Sequence, residues 1–344
     1  MNGPRSSLRP LVGHVFDVVA EATVAPSFSR VGIAIRRRLE SWKEPPSMHG
    51  QVVLVTGATS GIGLATATAL SGLGATVHIV GRDPERGRKA LEVVTSAGPG
   101  GGGLDLVDMA DPGAVTALGQ RLAKRYDRLD VLIHNAGALS STYRANKAGI
   151  EVTVAAQVLG PYLLTAALAT LLRASAPSTI VTVSSGGMYA QRFELDRLES
   201  GPEDYDGVRA YARAKRAQLV LADAWAERLG PAGVRSFAMH PGWVDTPGLR
   251  TGLPRFRRLW QPLLRSPSEG ADTVVWLAAG GSAAQARASD SPAPDHGFFH
   301  DRRIRRDSHF PVLHPRHTGD TDALLAWCAA RTGVDLDPYY AMLR

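Results

Sequence analysis

The 344-residue chain has a single cysteine, Cys328. No intrachain disulfide can form, which fits a reducing compartment, and a cytoplasmic location is the expectation. No apolar run is long enough and uninterrupted enough to span a bilayer. The longest, Val158 to Leu172, contains Pro161 and reads as a buried helix. A signal-peptide layout is missing, because Met1 to Pro10 is polar and Asp17 and Glu21 break the next apolar stretch. There is no internal repeat of solenoid period and no nucleic-acid module. The net charge of +7 is therefore read as solubility plus a site for an anionic cofactor, and no nucleic-acid partner is expected. Metal-ligand spacing is also scarce. His314 and His317 form an HxxH pair, but Pro315 between them disfavours a helical ligand face. No metal site is expected.

What is present centres on Gln51 to Thr66. Val52 to Val55 is an apolar β-branched run that reads as a buried strand. Gly57, Gly61 and Gly63 follow in a GxxxGxG spacing, and a helix opens near Ile62. Strand, glycine turn and helix make a phosphate-binding entry: glycine permits the sharp turn, and the free N–H groups at the helix start face an anion. Thr76 to Val80 reads as the second strand. At its end, Arg82 offers a cation for a 2′-phosphate, whereas the acidic Asp83 beside it would suit an unmodified ribose. The run Gly98 to Gly103 reads as a flexible insertion that leaves a short third strand, Leu104 to Leu106, with Asp105 at its end near an adenine site. The fourth strand, Asp130 to His134, ends in Asn135-Ala136-Gly137. Small residues there suggest a backbone that must come close to a ligand.

Asn146 to Leu172 reads as a long helix, Thr179 to Val183 as a fifth strand ending in Ser184-Ser185, and Val208 to Leu229 as a helix. Val234 to Met239 is a sixth strand, followed by His240-Pro241-Gly242. Six strands alternating with helices predict an α/β fold: a doubly wound, Rossmann-like parallel sheet with helices on both faces. The expected division is an N-terminal helical extension at 1–48, a catalytic domain at 49–301 and a C-terminal extension at 302–344 that packs on it. In the first of these, Val15 to Ala25 and Arg30 to Trp42 have helical character. Val31, Ile35 and Leu39 share a face there, edged by Arg36 to Arg38. That helix either packs on its own domain or lies on a membrane surface.

Tyr211 and Lys215 are four apart, hence on one helix face. An ammonium near a phenol favours the phenolate, and a tyrosine so tuned can exchange a proton with a carbonyl or alcohol oxygen. Ser185, just past a buried strand at the sheet's carboxyl edge, could bond the substrate oxygen or the tyrosine hydroxyl.

Together these motifs resemble the short-chain dehydrogenase/reductase family over about Gln51 to Asp301. Within that family, Ser184 to Met188, His240 to Trp243 and Gly297 to Phe299 look like the subgroup called member twelve. The resemblance implies hydride transfer between a nicotinamide and a small-molecule carbonyl or alcohol, with Tyr211 as acid or base. Lys215 would hold the nicotinamide ribose and Ser185 would orient the substrate oxygen. It implies a cofactor cradle of Gly57, Thr59, Ser60, Gly61, Ile62 and Gly63, with Arg82, Asp105, Asn135, Ala136 and Gly137. Pro241, Gly242, Val244 and Thr246 would close over the nicotinamide. NADP(H) is favoured on Arg82, with NAD(H) as the alternative. The family's catalytic asparagine aligns with Gln157, whose longer arm would shift the proton relay. His134 replaces a usual asparagine and reads as a packed strand-end residue. In the family, Pro247 to Ser266 would be the substrate lid. Its apolar residues, mixed with five arginines, suggest a bulky apolar substrate. Homo-oligomers are common in the family. The alternative to an enzyme is a cofactor-binding scaffold with little turnover.

Overall fold

The structure is a computed structural model that describes residues 24–288, 294–308 and 319–336. After a helical turn at Ala25–Phe28 comes α1 (Arg30–Leu39). The central units follow: β1 (Val52–Thr56), α2 (Gly61–Gly72), β2 (Thr76–Gly81), α3 (Pro84–Ser96), β3 (Gly102–Leu106), α4 (Pro112–Arg125) and β4 (Val131–His134). A helical stretch from Val152 to Ala174, α5, contains a π-turn at Ala155–Leu159. Then come β5 (Ser178–Val183), α6 (Gly207–Leu229), β6 (Val234–Met239), α7 (Pro247–Gly252), α8 (Pro254–Trp260), α9 (Pro267–Ala278), α10 (Gly281–Ala288), β7 (His296–His300), β8 (Arg303–Ile304) and α11 (Asp320–Thr332).

Among the described residues the strands form one eight-stranded sheet in the order β3-β2-β1-β4-β5-β6-β7-β8. All pairings are parallel except the last. β1 shows why both faces are covered. Val53 and Val55 pack with α2, α3 and α9, whereas Val52 and Leu54 pack with α4, α5 and α6. Such a strand is apolar throughout because neither face meets water. The strand order reverses between β1 and β4, which opens a crevice at their carboxyl ends. By length and composition α5 could cross a membrane, but here it is a core helix mostly buried in the fold.

Four expectations change. The sheet has eight strands, because β7 and β8 extend it beyond β6 to Ile304. The third strand starts at Gly102, so the last two glycines of the run belong to the strand and are not part of a flexible insertion before it. Gly103 is needed there because a Cβ would lie 2.6 Å from Nδ1 of buried His78. The long helix begins at Val152, where Glu151 accepts the N–H groups of Thr153 and Val154. On α1 the buried face is Gly32, Ile33 and Arg36, and Val31 is exposed. Most of the Val15 to Ala25 segment and the His314–His317 pair lie outside the described residues.

Candidate active site

The glycine turn after β1 is built without room for side chains. Gly57 and Gly61 have φ of +66° and +58°. A Cβ on Gly57 would sit 2.7 Å from Ala136 Cα, and one on Gly63 would lie 2.3 Å from Asn135 Nδ2. Asn135 and Ala136 donate their backbone N–H groups to Thr56 Oγ1, and Asn135 Nδ2 donates to the carbonyls of Thr56 and Gly57. The fourth-strand motif therefore braces the turn. The first N–H groups of α2, from Gly61, Ile62 and Gly63, have no in-helix acceptor. Thr246 closes the same space, since a Cβ at Gly61 would be 3.3 Å from its methyl group. A narrow cradle with available backbone donors fits a dinucleotide pyrophosphate.

At the end of β2, Arg82 is exposed. The Asp83 carboxylate is already used, accepting the Arg86 N–H at 2.8 Å as the cap of α3. Arg86 Nη2 in turn donates to Ser60 Oγ at 3.0 Å, which brings a second cation to the glycine turn. Thr59 lies over Gly81, where a Cβ would meet its methyl group. The Asp105 carboxylate bonds His78 and Arg121, so any adenine would have to share it with those partners.

Ser185, Tyr211, Lys215 and Gln157 converge from three elements. Asp206 caps α6 by accepting the N–H groups of Val208 and Arg209, which sets the start of the helix that carries Tyr211 and Lys215. Lys215 is buried. Its Nζ donates to Val183 O at 2.8 Å and to Gln218 Oε1 at 3.0 Å, and it lies 5.5 Å from the centre of the Tyr211 ring. Burial lowers the lysine to about 7. Burial also raises Tyr211, opposed by a hydrogen bond with Ser185. The expected lowering of Tyr211 by the ammonium is not what this geometry gives. The lysine donates to the strand carbonyl and lies over the ring.

The π-turn carries Gln157, a placement common at functional sites. Its Nε2 donates to Ala138 O at 3.0 Å, while its buried Oε1 has no partner among the described residues. Gly137 leaves the space between Gln157 and Lys215 open, since a Cβ there would lie 2.8 Å from Gln157 Oε1 and 3.1 Å from Lys215 Nζ. His134 is a packed residue as expected: it bonds Thr165, and burial lowers it to about 3. Pro241 and Gly242 follow β6, with Gly242 at φ +75°. Val244 is buried against the lid base, bridging to Arg265.

The family model for short chain dehydrogenases matches residues 51–252. The chain belongs to the short-chain dehydrogenase/reductase family. It is accordingly an NAD(P)-dependent oxidoreductase acting on CH–OH or C=O groups. The human protein named dehydrogenase/reductase SDR family member 12 is 38% identical, across 74% of this chain and 77% of that protein. Mouse retinol dehydrogenase 14 is 34% identical, across 76% of this chain and 85% of its own length. An uncharacterised protein of Mycobacterium paratuberculosis, known from a crystal structure, has the same fold. Its TM-score is 0.63 at 25% identity, covering 86% of this chain and 98% of that one.

Within this short-chain dehydrogenase/reductase site, two residues were missed by sequence reasoning. Gln218 fastens Lys215 and also donates to Gln157 O at 2.8 Å. It lies three residues after Lys215, on the same helix face, and that spacing was its only signal. Arg86, one turn into α3, was hidden by the stronger cue of Arg82. The lid also differs from its reading. Arg265 is buried away from any substrate, and Arg250 and Arg257 both grip Asp245, Arg257 foremost in holding its carboxyl at about 2. That leaves Arg255 and Arg258 on the exposed face.

Proposed function

We propose that the protein is an NADPH-preferring reductase of carbonyl groups on bulky apolar substrates, with Tyr211 as proton donor. The observation that carries this is the meeting of Ser185, Tyr211, Lys215 and Gln157 beside the glycine cradle. A half-buried tyrosine hydrogen-bonded to Ser185 and not lowered from its ordinary value keeps its proton, and so is suited to give it to an oxygen that becomes negative. Bound NADPH supplies the hydride that reaches the carbonyl carbon. Tyr211 places its proton on the oxygen, and Ser185 orients that oxygen. Lys215 would hold the nicotinamide ribose. Gln157, with one amide oxygen unpartnered and facing the lysine, would start the relay that restores the Tyr211 proton.

The phosphate preference rests on Arg82 together with Arg86 and Ser60, and on an Asp83 carboxylate occupied as a helix cap. Guanidinium groups pair well with phosphate oxygens. The apolar-substrate reading rests on the lid, where Trp243, Phe256 and Trp260 pack together and Leu259 is 74% exposed. A relative named retinol dehydrogenase points the same way. Titration calorimetry with NADPH and NADH tests the cofactor: at least about tenfold tighter NADPH is expected, and equal affinities would remove the assignment. Turnover across aldehydes of increasing chain length tests the substrate class, with kcat/KM rising with length. A flat profile would count against it.

A further inference from the structure

The segment before the family-matched region enters the fold at Phe28, which is 3% exposed and packs with Met188, Tyr189 and Phe298. Its ring fills the space that a side chain on Gly186 would need, since a Cβ there would fall 2.5 Å from Phe28 Cε2. Gly186 directly follows Ser185. On the other side, a Cβ on Gly242 would lie 2.6 Å from the Phe28 carbonyl oxygen. That carbonyl accepts the Trp243 N–H at 2.8 Å. The ring also packs on His240, with centres 4.6 Å apart. One residue thus touches the loop carrying Ser185 and the loop expected to close over the nicotinamide.

The backbone around Phe28 is clamped by a buried ion cluster. Arg265 donates to the carbonyls of Ser27, Ser29 and Pro241 and to both oxygens of Asp301. Arg36 joins Asp301 at 2.6 Å and also bonds Ser27. Left to itself, burial would raise the Asp301 carboxyl, but Arg265, His300 and Arg36 overcome it and hold the group well below the carboxylate range. The wedge therefore cannot shift without disturbing a fully paired cluster.

We propose that Phe28 is a positioning residue for the nicotinamide end of the site, holding the Ser185 loop and the Pro241–Gly242 loop at a fixed separation. This rests on the cofactor reading above. It is tested by calorimetry of the full chain with two probes: NADPH, and 2′,5′-ADP, which carries only the adenosine end. In Phe28→Ala, NADPH affinity is expected to fall about tenfold, as for a lost positioning contact, while 2′,5′-ADP affinity stays unchanged. Phe28→Leu, which retains an apolar body, should fall between wild type and Ala. Gly186→Ala pushes the wedge from the opposite side and should give the same split, so it decides the matter if Phe28→Ala fails to fold. Unchanged NADPH affinity, or equal loss of both probes, would overturn the proposal. A wild-type chain that binds neither probe would overturn the cofactor reading itself, and that outcome is visible before any variant is made.

Discussion

The two ends of the crevice are held in different ways. The end proposed to take the nucleotide, from β1 to the turn after β4, is shaped by backbone. Glycines at positive φ, a threonine and an asparagine lock the turn, and the cations sit at the surface. The other end, proposed to take the nicotinamide, is shaped by buried side chains. Lys215, Arg265, Arg36 and Asp301 are all buried there, and each charge is answered by specific carbonyls or carboxylates. A backbone site tolerates the loss of a single side chain, because its donors are the chain itself. A site built on buried charges does not, because removing one partner strands the others in a medium that cannot solvate them.

The largest effect should come at the second end. Tyr211→Phe is expected to lower turnover by about 10²–10⁴ while NADPH still binds. Steady-state kinetics beside calorimetry reads both, and turnover insensitive to this change would favour the scaffold alternative. Next comes Asp301→Ala, which leaves two buried guanidinium groups facing each other and should cost about 3–5 kcal/mol of stability. The matching change at the nucleotide end is Asp83→Ala. It removes only an exposed helix cap and should cost about 1 kcal/mol. Chemical denaturation of the two variants side by side measures the contrast, and equal losses would erase it. In between, Arg82→Leu and Arg86→Leu should each weaken NADPH about tenfold and leave NADH nearly unchanged by calorimetry.

A pH experiment sharpens the same contrast. Lys215 is depressed from 10.5 to about 7 in the fold. Between those values the unfolded chain binds more protons than the folded one, so this group makes the protein more stable as pH rises. Below pH 7 the folded state carries the full cost of a buried ammonium. Stability of wild type relative to Lys215→Met should therefore increase from pH 7 toward pH 10. Thermal unfolding at several pH values follows it, and a flat difference would mean that the amine is better solvated than its burial indicates.

The nucleotide end was readable because its rules are local. Gly57, Gly61 and Gly63 fall within seven residues, and the strand and helix around them have their own periodicities. Tyr211 and Lys215 were readable for the same reason, as neighbours on one turn of α6. The N-terminal wedge was not. Arg36 and Asp301 are 265 positions apart, and a basic stretch edging a helix looks the same whether it faces water or an interior carboxylate. The apolar pattern of α1 misled for a related reason: the residues that tuck inward are a glycine, an isoleucine and an arginine. Nor could β7 be counted in advance. His296 to His300 is short and follows α10 at a distance, and only its pairing with β6 makes it a strand.

That pairing bears on how the protein can be dissected. The family match ends at residue 252, but β6 gains its outer neighbour only at Ser236↔His296 and the three pairs after it. On the other face, α11 lies against α6, and Tyr162 donates its hydroxyl proton to Val334 O at 2.7 Å. A fragment trimmed to the match would present β6 as a bare edge with open N–H and C=O groups, a template for pairing with further copies. Such a fragment should be recovered as aggregates, so the stretch matched by the family model is shorter than the stretch the sheet needs to close its edge.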